Sequence, residues 1–156
     1  MNITVISVGK IKEKYFTAAI DEYSKRLSRF AKLNIIEVAD EKIPDNASEM
    51  EQIKEKEGNK ILAKLPQNSF VVTLCIEGKE HSSEELAKKI ADISMTSSHI
   101  TFIIGGSLGL SNTVKSKSAL RLSFGKMTLP HQLMRVVLLE QIYRAFKINN
   151  NESYHK

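Results

Sequence analysis

The chain has 156 residues, room for one compact domain and too few for two ordinary ones. At 42% hydrophobic and 26% charged it can bury a real core and is not a disordered chain, while 7 Gly and 3 Pro exclude collagen-like and low-complexity classes. The lone cysteine, Cys75, excludes a disulfide framework and a cysteine-based zinc site. No apolar run approaches the ~20 residues of a membrane span. Met1 to Lys10 lacks the charged start and long apolar stretch of a signal peptide. The expectation is one domain over residues 1–156, soluble, cytoplasmic and with no membrane or metal partner.

The strand and helix patterns alternate along the chain. Ile3 to Val8 is rich in β-branched residues and stops at Gly9, as a strand does. Phe16, Ile20, Tyr23, Leu27 and Phe30 then fall four and three apart, one face of a helix. Leu33 to Val38 reads as a second strand, and Asp40 to Asn46 as a turn containing Pro44. Ser48 with Glu51 predicts a capping box for a charged helix whose apolar positions are Met50, Ile53, Ile61, Leu62 and Leu65. Pro66 ends it.

Phe70 to Ile76 is apolar enough to be buried on both faces, as in a parallel sheet, with Glu77-Gly78 following as a loop. Ser82 with Glu85 predicts a second capping box, opening a helix through Leu86, Ile90 and Ile93. Ile100 to Ile104 is a fourth strand, ending at Gly105-Gly106. Ser111 is placed to cap a short helix around Val114, and a fifth strand runs near Leu120 to Phe124. Pro130 sits where a first helical residue would, opening a helix to about Ile148. The alternation predicts an α/β fold with a mainly parallel sheet flanked by helices. Leu133, Met134, Val136 to Leu139, Ile142, Tyr143 and Phe146 cover more than one stripe of the last helix. Such a helix buries a second side, which in so short a chain suggests a symmetric homodimer.

Net charge is +5 and unevenly spread: residues 34–98 are net −5, and the flanking segments 1–33, 99–120 and 121–156 carry +4, +2 and +4. A fold that gathers the flanks onto one surface makes a patch suited to phosphate; otherwise the charge serves solubility. Lys10, Lys12, Arg26, Arg29 and Lys126 are the candidate phosphate contacts. In parallel α/β sheets, ligands lodge beyond the carboxyl ends of strands. Glu77-Gly78, Gly105 to Gly109 and Gly125 to Pro130 are the chemically special loops there. They fit neither G-x-G-x-x-G nor the phosphate-loop pattern, no G-x-S-x-G elbow occurs, and His81, His99, His131 and His155 lack metal spacing. Cys75 reads as a small buried hydrophobe.

Val8-Gly9-Lys10, Ile103 to Gly109, Leu122 to His131, Arg135 to Phe146 and the terminal Tyr154-His155-Lys156 together resemble the ribosomal RNA large-subunit methyltransferase H family, minimal proteins of the SPOUT class. The resemblance runs essentially end to end. It implies a C-terminal trefoil knot and a homodimer that binds S-adenosyl-L-methionine. It also implies methylation of N3 of a pseudouridine in helix 69 of 23S rRNA within the assembled ribosome. Carried over by position, the cofactor contacts are Leu74, Gly105, Phe124, Gly125, Lys126, Met127, Thr128 and Leu129, and the catalytic group is His155, Tyr154, Arg144 and Arg135. His155 is then the base or imide-stabilising cation, with Tyr154 positioning it and an arginine supplying positive charge. Gly125 stands where the family usually carries serine, and Asn149 to Ser153 replaces a glycine-containing turn, although asparagines are able to supply left-handed geometry. Another SPOUT activity on a different nucleotide, and a ribosome-binding factor without cofactor affinity, stay open at this point.

Overall fold

The computed structural model describes residues 1–43 and 45–156; Pro44 of the predicted turn lies outside them. Five strands, β1 (Asn2–Val8), β2 (Lys32–Val38), β3 (Phe70–Glu80), β4 (His99–Ile104) and β5 (Leu120–Ser123), form one sheet in the order β2-β1-β4-β3-β5. Every pairing is parallel. The helices are α1 (Lys14–Leu27), α2 (Ala47–Lys64), α3 (Ser83–Ser94), α4 (Asn112–Ser116) and α5 (His131–Asn149).

Two-residue alternation sends the strand side chains to two cores. Ile3, Val5, Val72, Ile100, Phe102 and Ile104 face one side, where α1, α5 and α3 contribute Leu27, Leu138, Leu139, Ile142, Leu86 and Ile90. Ile6, Val8, Val71 and Ile103 face the other, under Ile61 of α2 and Val114 of α4. Burial on both faces explains why β1 and β4 are nearly continuous apolar runs. Each fully buried aliphatic side chain contributes roughly 1.5–3 kcal/mol.

The Ser82–Glu85 capping box is present, and Ser111 Oγ accepts the Val114 N–H at 3.2 Å to start α4. Three boundaries differ from expectation. Asn46, not Ser48, caps α2: its Oδ1 accepts the Glu49 N–H at 3.0 Å, and Ser48 Oγ donates to that same oxygen. Pro130 is the cap residue before α5 and not its first turn, because its ψ of 138° is extended. Glu77-Gly78 is no loop after β3 but lies inside it, in a bulge where Leu74 and Lys79 both stand opposite Leu122. Gly78 allows this close approach, since a Cβ there would lie 2.7 Å from the Arg121 carbonyl carbon and oxygen.

After β5, at one edge of the sheet, the chain crosses the carboxyl ends of the strands and begins α5 beside β1. Arg135 fixes that crossing. It is 2% exposed, and it donates to Glu37 Oε2 (2.6 Å) and to the Gly9 and Val8 carbonyls (2.5 and 3.3 Å). At the far end, Asn151 takes φ 54°, and the Asn151 and Glu152 N–H groups donate to the Ile148 and Lys147 carbonyls. The asparagine run therefore turns the tail back along α5 as glycine would.

Candidate active site

The carboxyl ends of β3, β4 and β5 border an open cleft of about 820 Å3. Leu74, Cys75, Ile76 and Glu77 form one wall, Gly105 to Leu110 a second, and Phe124, Gly125 and Met127 to His131 a third. Of the eight cofactor positions carried over from the sequence, seven line this cleft, and only Lys126 points elsewhere, exposed. The Gly105–Gly109 loop is a tight reversal closed by a bridge between Gly106 and Gly109. A Cβ on Gly105 would meet the Gly109 carbonyl carbon at 2.8 Å, so only glycine lets the loop close this far. Gly125 takes φ +122°, which L side chains rarely adopt, and Ser123 Oγ holds its amide at 3.1 Å. Backbone groups at the glycines and apolar side chains at Leu74, Phe124, Leu129 and Met134 suit a flat heterocycle with a polar tail.

Cys75 lines the cleft half-buried and not in the core, a correction that follows from the bulge after Leu74. Burial and the Glu77 carboxylate push its thiol up, away from thiolate chemistry. His131, at the cleft's inner end, is pushed down by burial and by Arg135, which favours neutral imidazole. No cluster of three or more His, Cys, Asp or Glu suited to a metal occurs among the described residues. No helix among them is long and apolar enough to cross a membrane.

The four catalytic candidates divide. Tyr154, His155 and Arg144 converge with Glu140 and Glu84, while Arg135 is the buried anchor about two and a half turns before Arg144 on α5. Arg144 donates to Glu140 Oε1 (2.6 Å) and to His155 Nδ1 (3.2 Å). A guanidinium only donates, so His155 Nδ1 accepts and Nε2 carries the hydrogen shared with Glu84 Oε1 at 2.8 Å. Both ring nitrogens are occupied, and Nδ1, which holds the lone pair, must leave Arg144 before His155 can accept a proton. The Tyr154 hydroxyl donates to Glu140 (3.0 Å) beneath the Arg144 guanidinium, and burial with that bond raises its pKa to about 12. Tyr154 therefore stays protonated and positions its neighbours. This cluster does not line the cleft of its own chain.

The basic candidates divide as well. Lys10 and Lys12 follow β1 at the cleft end, where the Lys12 N–H donates to Gln132 at the start of α5. Arg26 and Arg29 lie at the opposite end of the sheet, Arg26 paired with Glu22 and stacked on Tyr23 and Tyr143, Arg29 paired with Glu152. The flanking charges thus form two regions and not one patch. Sequence reasoning missed Glu57, which α2 buries behind Gly106; a charge on an amphipathic helix gave no signal of that.

The family described as "Predicted SPOUT methyltransferase" matches residues 1–155. The "Ribosomal RNA large subunit methyltransferase H" proteins of Clostridium novyi (strain NT) and Clostridioides difficile (strain 630) are 62% and 59% identical over 159 residues, covering all of both chains. A Methanococcus maripaludis protein is 64% identical over the same span. Among solved structures, a probable methylase family protein from Haemophilus influenzae Rd KW20 shares the fold. It has a TM-score of 0.56 at 15% identity over 99% of this chain and 70% of that one.

Proposed function

Because this chain belongs to the SPOUT methyltransferase family, we propose that it methylates N3 of pseudouridine 1915 in helix 69 of 23S rRNA, on the assembled ribosome and in the cytoplasm. Two facts support an rRNA substrate: full-length relatives near 60% identity are named ribosomal RNA large subunit methyltransferase H, and Lys54 and Lys115 line the cleft. The observation that carries the reading is the convergence of Leu74, Gly105 and Phe124–Leu129, without Lys126, on one cleft.

S-adenosyl-L-methionine supplies an electrophilic methyl group on a sulfonium, and the walls fit it: backbone amides and carbonyls for the adenine edge, apolar side chains for its faces. The reaction asks the protein chiefly to hold two partners in near-attack geometry and to exclude water. The imide proton must leave N3, because a neutral imide nitrogen is a poor nucleophile. His155 takes that proton on Nδ1 once it releases Arg144, and Arg144, held charged by Glu140, stabilises the resulting anion.

His155 lies off the cleft of its own chain, so the reading includes a homodimer in which the base serves the partner's cleft. Leu133, Val136 and Val137 support this: they are half-exposed on the face of α5 that also carries Glu140 and Arg144. The reading also includes the family's trefoil knot, supported by the passage of the chain from edge strand β5 across to β1.

The test is incubation of intact ribosomes with the purified protein and methyl-labelled donor, followed by mass-spectrometric mapping. Label on N3 of that pseudouridine is the expected result. Label on another nucleotide indicates a different SPOUT activity. No label, together with no heat when the donor is titrated into the protein, indicates a binding factor that kept the fold.

A further inference from the structure

Helix α2 carries a buried carboxylate with an unused acceptor. Glu57 is 5% exposed; its Oε2 accepts the Glu41 N–H at 3.0 Å, and its Oε1 has no hydrogen-bond partner among the described residues. Nearby cations are committed elsewhere. Lys60 donates to Glu41 and to the Ala39 carbonyl, and Arg135 to Glu37 and the β1 end. A carboxylate so placed is costly without a cation, and burial accordingly raises its pKa.

Glu57 borders a largely enclosed chamber of about 30 Å3. Gly106, Ser107, Leu108 and His131 border it too, and the same four residues line the main cleft, so that loop is the shared wall of the two spaces. The chamber holds one water-sized group, and a primary ammonium is that size. Gly106 keeps the partition thin: a Cβ there would lie 3.1 Å from Val8 Cγ1 and 3.5 Å from Glu57 Oε1. One turn earlier on α2, Lys54 lines the cleft. Its present partner is the mostly exposed Glu51 at 2.7 Å, a contact given up at little cost. Side chains three apart on a helix are neighbours, with Cβ atoms about 5–6 Å apart. Lys54 and Glu57 thus put a cation on the cleft side and an anion on the chamber side of the Gly106 loop, less than one helical turn apart on α2.

We infer that Glu57 and Lys54 form the subsite for the amino-acid end of the methyl donor, with Glu57 Oε1 taking the ammonium and Lys54 the carboxylate. The inference rests on the reading of the cleft as the donor's site and adds how the donor's tail is recognised.

Calorimetry on the full chain at neutral pH separates the two. S-adenosylhomocysteine carries the amino-acid end; 5′-methylthioadenosine has the same nucleoside and sulfur without it. Glu57→Gln is expected to weaken S-adenosylhomocysteine at least tenfold and to leave methylthioadenosine within twofold, with an unliganded Tm at or above wild type because a buried charge is gone. Lys54→Met is expected to weaken S-adenosylhomocysteine threefold or more and spare methylthioadenosine; if Glu57→Gln does not fold, this variant alone decides. Unchanged S-adenosylhomocysteine affinity, or equal weakening of both ligands, would overturn the subsite. Failure of the wild-type protein to bind either nucleoside would instead remove the reading of the cleft, and the subsite with it.

Discussion

Replacing Arg135 with methionine separates an architectural role from a chemical one. The methionine keeps much of the aliphatic stem in the core but deletes the 2.6 Å contact with Glu37 and the bonds to the Gly9 and Val8 carbonyls. Gly9 and Val8 are both buried, so their carbonyls lose a partner out of reach of water. Each buried group left unsatisfied costs about 1–3 kcal/mol. Glu37 is 37% exposed and recovers water, and removal of the unpartnered Arg135 Nε returns part of the loss. The net expectation is destabilisation of about 2–4 kcal/mol, a large share of the ~5–15 kcal/mol typical of a domain. Urea denaturation followed by circular dichroism reads this as a lower midpoint at unchanged slope. A variant as stable as wild type yet devoid of methyl transfer would refute the anchoring role and return Arg135 to the chemistry.

Gly105→Ala forces the Gly105–Gly109 reversal open, since the new Cβ meets the Gly109 backbone at 2.8 Å. With overpacking strain of about 1–3 kcal/mol, S-adenosylhomocysteine should bind roughly 5- to 150-fold more weakly by calorimetry; wild-type affinity would mean the loop is not a wall of the site. Val137→Glu places a charge in the half-exposed stripe of α5 and should give an inactive monomer by light scattering, whereas an active monomer contradicts the shared site. Hydrogen bonds from Arg29 and Lys147 hold the Glu152 carboxyl below its ordinary range. Its contribution is therefore complete above the unfolded carboxylate pKa near 4.5 and lost as pH falls through the depressed folded value. Amide exchange of residues 150–156 should accelerate over that acid window, and in Glu152→Gln should already be fast at neutral pH; a tail equally protected in both proteins would show that these ion pairs do not pin it.

Local chemistry was readable where it acts within a few residues. The β-branched runs at Ile3–Val8 and Ile100–Ile104 and the Ser82–Glu85 cap each carry their own signal, and the structure has them. Asn46 competed with Ser48 for the same cap, and both residue types suit it, so pattern alone chose the wrong one. The bulge in β3 depends on Gly78 lying against Arg121, more than 40 residues away, and no local period encodes that. The same holds for Arg135 and Glu57. Each is an ordinary charge on a helix until the fold places the Gly9 carbonyl beside one and the Gly106 loop beside the other. The cleft itself was legible because the glycine-bearing ends of β4 and β5 lie at the carboxyl edge of a parallel sheet, although Gly78, expected as the third such end, lies inside β3 and does not line it. The separation of Lys10 and Lys12 from Arg26 and Arg29 was not legible, because which end of α1 each pair occupies follows from the topology.

The most direct measurement of the central claim is a crystal structure with S-adenosylhomocysteine. The account predicts the nucleoside seated between Leu74, Gly105 and the Phe124–Leu129 loop, with His155 of the partner subunit facing its sulfur. Density for the ligand elsewhere on the protein, or a cleft that stays empty at saturating ligand, would contradict it.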